Sequence, residues 1–319
     1  MNTRATTLPQ GHGPGQGQSQ TPGRTTSQGR SRRPIFATGL LRRMIGAPAS
    51  RIVGLAVFGL IVLLCIFVPI FSPYASNDFV GAAFQAPSWQ FPFGTDTVGR
   101  DVWTRTWEGG RVNLIAAAIV TGFTVIIGTT IGTLAGASRI RWVDSLIMRI
   151  ADAFIAFPLV ILLLALVVVF GADSAWGPAP PGLVPSMAAL MAVMWAGYAR
   201  VARGQALALR DSDFVLAARV AGLSTGRIVL RHIVPGVSRI TLALAVSDIV
   251  LVVTILSSLP FLGAGVQPPA PEWGSIMYEG RGFLRQAWWI TLLPGAVVAL
   301  TGLSLSFVAD SLLDSRSSR

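Results

Sequence analysis

Six long apolar runs, separated by polar connections, restrict what this chain can fold into. They cover about residues 52–71, 113–137, 146–170, 183–199, 241–261 and 287–309, the fourth being the shortest. A helix needs ~20 mostly apolar residues to cross a bilayer. In lipid, only helices and closed barrels satisfy all their backbone polar groups. The runs are continuously apolar rather than alternating, so they predict helices. The expected fold is all-α, a polytopic membrane protein with six transmembrane helices. Charge agrees with this, because only 12% of residues are charged, about half the ~25% of a soluble domain.

The arginines set an orientation. The chain has a net charge of +11 and no lysine. Such a balance on a soluble face would suggest nucleic acid, but here the arginines flank apolar runs. With a cytoplasmic N-terminus, segments 1–51, 138–149, 200–239 and 310–319 lie inside and hold 20 of the 25 arginines. The outside segments hold Arg100, Arg105, Arg111, Arg281 and Arg285. The opposite topology would break the positive-inside rule, so both termini are expected in the cytoplasm and no nucleic-acid partner is expected.

Four regions follow from these boundaries. Residues 1–34 are rich in Gly, Gln, Ser, Thr and Pro and cannot bury enough apolar surface to fold, so they read as a disordered cytoplasmic tail. The segment lacks the order of a signal peptide. Residues 35–112 hold the first transmembrane helix and an outer loop, 72–112. Residues 113–310 form the core, with helices at 200–240 expected to lie across the cytoplasmic face. Residues 311–319 form a C-terminal tail.

Inside the spans a few residues stand out. Gly128, Gly132 and Gly136 share one helix face and would let two backbones approach closely. Pro158 and Pro294 are candidate kinks or hinges. Cys65, the single cysteine, falls in an apolar run, which excludes an internal disulfide and suits packing. Asp248 lies within the fifth span, where a charge is expensive and faces a cavity or a partner. It either lines a translocation path, meeting a peptide's ammonium, or bonds a neighbouring helix.

The cytoplasmic segment from Trp195 to Gly236 reads as two amphipathic stretches around a break. Asp211 or Ser212 can cap a helix through Ala217 and Ala218. Gly222 can end it in a left-handed conformation. Ser224 or Thr225 can cap a second stretch, about Gly226 to Val234, which Pro235 is expected to stop. A short helix, a sharp turn and a second helix suit docking into a partner's groove.

Here a resemblance becomes specific. Ala217-Ala218, then Gly222, then Arg231-His232-Ile233-Val234-Pro235 resemble the "EAA" loop of ABC importer permeases, with Leu216 in the place of the motif's Glu. Trp195, Tyr198-Ala199-Arg200 and Arg203-Gly204 fit the peptide-transporting branch. Three further segments resemble the dipeptide/oligopeptide/nickel group. They are Phe93-Gly94-Thr95-Asp96 with Gly99-Arg100-Asp101-Val102; Asp144, Met148-Arg149, Asp152 and Phe157-Pro158; and Phe261-Leu262-Gly263 with Gly265-Val266-Gln267-Pro268-Pro269 and Trp273-Gly274. The last of these, with residues 42–79, resembles the second of the group's two permeases. Pro260 and the Pro-rich loop 171–182 depart from the pattern.

The resemblance covers roughly 42–310 and implies a type I ABC importer permease fold in the cell membrane. It implies four kinds of partner: a second permease, two ATP-binding subunits or one fused, an extracytoplasmic substrate-binding protein, and a peptide substrate. Ala217, Ala218, Gly222, Arg231, His232 and Pro235 would couple to the ATPase. Asp96, Arg100 and Asp101 would contact partners in the outer loop or, with Arg105, form a structural cap. His232 suits docking or capping better than a proton relay.

Catalysis in this chain itself is not expected. A P-loop needs a lysine, so ATP and magnesium would belong to the partner ATPase and the chain would carry no cofactor. No cluster suggests metal chemistry. The rivals are an ion-gradient-driven secondary transporter, which needs repeats and mid-membrane ionisable groups, and a membrane-bound enzyme.

Overall fold

The computed structural model describes residues 48–138, 141–172, 174–175 and 177–314. The expected tail 1–34 lies outside the described residues, as do residues 315–319. Five helices are long and apolar enough to cross a membrane, and a bent pair makes a sixth. The protein is a multi-pass, all-α membrane protein.

Helix α1, Pro48–Phe71, is apolar on nearly every side. Ile61 and Cys65 are buried, whereas Ile52, Leu60, Phe67 and Ile70 are exposed. A helix that is hydrophobic all round suits lipid. Gly54 lets it approach α10, Trp289–Asp314, where a Cβ would stand 2.8 Å from the Ser304 carbonyl oxygen.

Helix α2, Val102–Ala137, begins eleven residues before the expected 113, and its first turns were read as part of the outer loop. The segment Val102–Asn113 is too polar to register as a span. It is helical because Asp101 caps it, accepting from Trp103 N and Thr104 N, and because its polar side chains find buried partners. At about 54 Å, α2 is longer than the hydrocarbon core.

The expected third span, 146–170, is not one helix. It is α3, Arg141–Ala156, and α4, Leu159–Val169, bent by 98° at Phe157-Pro158. Proline supplies no N–H and pushes the preceding residue out of the helical region. At about 17 Å, α4 is too short to cross alone. Pro294, by contrast, is accommodated within α10.

Helix α5, Leu183–Arg210, runs eleven residues past the expected end at 199. The connection 200–240 therefore does not lie wholly across a membrane face, because its first turns extend a transmembrane helix. It continues as α6, Asp213–Val220, and α7, Thr225–Ile228. A π turn at Val229–Ile233 leads directly into α8, Val234–Ser258.

Pro235 thus does not stop a helix, and the fifth span is continuous from 225 to 262 rather than starting at 241. Proline sits in the first turn of α8, where its missing N–H is tolerated, and the wide π turn before it takes up the irregularity. A 3₁₀ turn, Leu259–Leu262, leads to α9, Trp273–Gly280.

Helices α2 and α5 form the centre of the bundle. A Cβ on Gly128 would stand 2.5 Å from the Trp195 carbonyl oxygen, and one on Gly136 2.7 Å from that of Arg203. At Gly132 it would overlap the Ala199 carbonyl oxygen. The glycine face therefore presses on the backbone of α5. Around this seam Val120, Leu163, Leu190, Val252, Leu256 and Trp273 form the main core.

Candidate functional site: a two-helix protrusion, a charged cap and a cavity

At one end of the bundle, α6 and α7 form a protrusion held by a small core of its own. Val215, Ile228, Ile233 and Val237 pack with Ala202 and Ala206 of α5. Its root is fixed where Arg210 Nη1 donates to the carbonyls of Gly136 and Ser138, 3.3 and 3.4 Å away. A cation on those carbonyls also complements the C-terminal dipole of α2. Ser212 occupies the N-cap position of α6, but its hydroxyl donates back to Leu209 O at 2.6 Å instead of capping.

The turn is a Schellman motif. Leu223 N donates to Ala218 O at 3.1 Å and Gly222 N to Arg219 O at 3.0 Å. Gly222 has φ +81°, and a Cβ there would meet nothing within 4 Å. Backbone conformation, not space, requires glycine.

All six residues expected at the coupling loop lie in this region. Ala217 is exposed and Ala218 half-buried on α6, and Gly222 makes the turn. Arg231 and His232 lie in the π turn, with Pro235 just beyond. His232 stacks edge-on against Phe214, ring centres 6.0 Å apart. The exposed surface is apolar and basic. Phe214, Leu216, Val220 and Leu230 face outward, while Arg219, Arg227 and Arg231 form no ion pair among the described residues.

The opposite end carries the charged cap. Residues 94–101 are not helical. They form a loop closed by a bridge between Thr95 and Asp101 and turned by Gly94 and Gly99 at positive φ. Within it the Asp96 carboxylate accepts from Val98 N and Arg100 N, both 2.9 Å, and from Arg100 Nε. Arg100 Nη2 also donates to Glu279 at 2.6 Å, and Arg105, fully buried, reaches the same carboxylate at 3.5 Å.

Asp96, Arg100 and Arg105 therefore come together, around an acid the sequence reading missed. Asp101 does not join them. It caps α2 and accepts from the Thr104 hydroxyl at 2.6 Å.

A second missed acid, Glu272, caps α9 from full burial. It accepts from Ser275 N at 2.8 Å and from Asn113 Nδ2 at 2.6 Å. Burial, without a cation beside it, pushes its carboxyl above the ordinary value of 4.5, against the pull of these hydrogen bonds. The signal was present in part: Glu272 directly precedes the Trp273-Gly274 pair, and Asn113 is an amide opening an apolar run.

Asp248 lies apart from both ends. It lines a cavity of about 360 Å³ beside the Pro158 break, among side chains of α3, α5 and α8 that include Phe154, Val193, Tyr198 and Leu244. Farther along α3, Asp144 forms a two-pronged pair with Arg203, and Asp152 pairs with Arg200. These four residues clamp α3 to α5. Among the described residues no group of three or more His, Cys, Asp or Glu is placed to hold a metal.

Comparison with known proteins decides the family. Residues 128–318 match the model for the binding-protein-dependent transport system inner membrane component. The chain belongs to this family of ABC transporter permeases. Residues 50–87 match the N-terminal transmembrane domain of oligopeptide transport permease C, so α1 and the start of the cap loop are recognised separately from the permease core.

Among the relatives of this permease is the dipeptide transport system permease protein DppC of Alkalihalophilus pseudofirmus. It is 34% identical over 265 residues, covering 82% of this chain and 84% of the relative. A putative peptide transport system permease protein of Brucella suis biovar 1 is 35% identical over 284 residues, covering 88% and 90%. A putative peptide permease protein of Brucella ovis is 34% identical over 270 residues, covering 81% and 85%. Membership of an ABC permease family sets aside the ion-gradient-driven alternative.

Proposed function

We propose that this permease is the second transmembrane subunit of an ATP-driven importer of dipeptides or oligopeptides. It forms the translocation path with another permease. The α6–α7 protrusion docks on an ATPase subunit, or on one half of a fused ATPase, which binds ATP and magnesium. The charged cap faces outward, toward an extracytoplasmic binding protein that delivers peptide. Both termini are then cytoplasmic, in keeping with the arginine distribution. The boundaries expected at 112/113 and 310/311 fall inside α2 and α10, so in this reading α1 and the cap loop precede a core that runs from Val102 to Asp314, with its coupling helices within 200–240.

The observation that carries this reading is the protrusion itself. A two-helix element has its own core, a capped root, exposed apolar side chains and arginines that form no ion pair among the described residues. Such a surface suits an apolar groove with an acidic rim. ATP binding would draw two such elements together and tilt the helices they continue, α5 and α8, giving alternating access. The Asp248 cavity, between those same helices, belongs to the path that opens.

The test is uptake of radiolabelled dipeptide by proteoliposomes holding the full complex and its binding protein. Uptake should require ATP on the side of the protrusion and should persist when ion gradients are collapsed. Uptake that followed an ion gradient and ignored ATP would refute the proposal.

A further inference from the structure

The cavity beside the Pro158 break holds an acid and a phenol in apolar surroundings. Tyr198 is only 3% exposed, and its buried hydroxyl has no partner among the described residues other than the Asp248 carboxylate. The Asp248 carboxylate lies beside it across the α5–α8 contact, and the Tyr198 hydroxyl donates toward that carboxylate. No arginine among the described residues pairs with Asp248. The remaining lining is apolar, including Phe154, Phe157, Leu159 and Leu244.

Depth sharpens the point. Asp248 lies within the apolar run 241–261, about 10 Å along α8 from the start of that run. A carboxylate at such depth is expensive unless a cavity or counter-charge receives it. The phenol beside it is neutral and supplies no counter-charge. An ammonium group has three N–H donors and a positive charge. One such group beside the pair would supply the missing counter-charge, donating to the carboxylate and to the phenol oxygen. A cavity of about 360 Å³ has room for an amino-acid side chain beside the ammonium.

From this juxtaposition we infer that the Asp248–Tyr198 cavity is a subsite for a primary ammonium group of a peptide in transit, with the adjoining side chain against Phe154, Phe157 and Leu244. The inference rests on the peptide-import reading and names the chemistry of one station on its path. The ammonium can come from a peptide's N-terminus or from a lysine side chain.

The experiment uses the complete complex in nanodiscs, without its binding protein, so that only the membrane subunits select. Leu-Leu, N-acetyl-Leu-Leu and N-acetyl-Lys-Leu are titrated as radiolabelled probes. The wild-type complex should bind Leu-Leu at least about tenfold more tightly than N-acetyl-Leu-Leu, the scale of a hydrogen-bonded charge. N-acetyl-Lys-Leu recovering that affinity would support an ammonium subsite that accepts either source. N-acetyl-Lys-Leu binding like N-acetyl-Leu-Leu would support one restricted to the N-terminus.

Asp248→Asn should erase the preference and Tyr198→Phe should narrow it. Equal binding of Leu-Leu and N-acetyl-Leu-Leu by the wild type would overturn the inference, as would a preference that survives Asp248→Asn. Should Asp248→Asn fail to assemble, Tyr198→Phe decides: a narrowed preference supports the subsite and an unchanged one overturns it. ATP-driven dipeptide uptake by the wild type, measured separately, shows whether the import reading stands when the subsite fails.

Discussion

Arg105 and Glu279, 174 positions apart, meet at 3.5 Å with the arginine wholly buried. Arg105 opens α2 and Glu279 closes α9, so the pair fastens the cap to the longest helix of the bundle. Arg100 brings the loop 94–101 to the same carboxylate. Removing the acid would leave two buried cations short of a partner. Glu279→Gln should therefore destabilise the protein by about 3 kcal/mol, read as a lower melting temperature of the detergent-solubilised complex. An unchanged melting temperature would show that the cap is not held by charge.

Glu272 should behave in the opposite way. It is more deeply buried than Glu279 but has no cation beside it among the described residues, and its carboxyl titrates above the ordinary 4.5. The folded protein then holds a proton that the unfolded chain releases. The stability from this group is present in full below the ordinary glutamate value and is lost as pH rises through the raised one. Glu272→Gln keeps one acceptor oxygen, for Ser275 N, and removes the titration. The variant should lose the part of the wild-type decline in stability that begins as pH rises above 4.5. Melting curves across that range check it, and parallel wild-type and variant profiles would refute it.

The α2–α5 seam makes a prediction about size alone. Gly132→Ala places a methyl group on the Ala199 carbonyl. The gain in helix propensity, about 1 kcal/mol, should be outweighed by overpacking of about 1–3 kcal/mol. Gly122, on the same helix with nothing within 4 Å of a Cβ, is the control, and Gly122→Ala should be neutral or stabilising. Thermal stability of the two variants, measured side by side, decides the matter. A tolerated Gly132→Ala would mean that the two helices can separate without cost.

Orientation is testable with little background, because the single cysteine, Cys65, is buried in the core. Cysteines introduced at Ser88, in the exposed cap loop, and at Ser212, at the root of the protrusion, should label with a membrane-impermeant maleimide from opposite sides. Ser212 should react only from the cytoplasmic face. Labelling of both from one side would overturn the topology.

What the sequence made legible follows from what hydropathy can see. The apolar runs located the parts of α1, α2, α5, α8 and α10 that lie in lipid. They missed the extensions at 102–112 and 200–210, because those turns are polar and are helical only through caps and buried partners such as Asp101, Arg105 and Arg210. Pro158 was visible as a kink, but a bend of 98° depends on how α4 packs, which no local signal carries. Pro235 misled, because a π turn absorbs it. Within the candidate sites, Gly222 was readable from local turn chemistry. Glu279 was not, since its partners lie far away in sequence.

Gly222 gives the most direct test of coupling. Its φ of +81° and the Schellman hydrogen bonds fix the angle between α6 and α7. Because a Cβ would meet no neighbour, Gly222→Val acts through the backbone alone. Holding a β-branched residue there costs about 1–2 kcal/mol, which the turn can escape by opening. Opening would move Phe214, Leu216 and Val220 relative to Leu230 and break up the docking surface. The site lies at the end of the bundle, outside the packed spans, so the protein should still insert. The ATPase should co-purify less, or should hydrolyse ATP without peptide uptake. Asn tolerates the left-handed conformation better than Val, so Gly222→Asn should retain clearly more coupling. That ordering separates a conformational requirement from mere loss of a small residue. ATPase co-purification and dipeptide uptake, measured on the same preparations, are the readouts. Normal values for both in Gly222→Val would show that residues 211–235 do not form the coupling element.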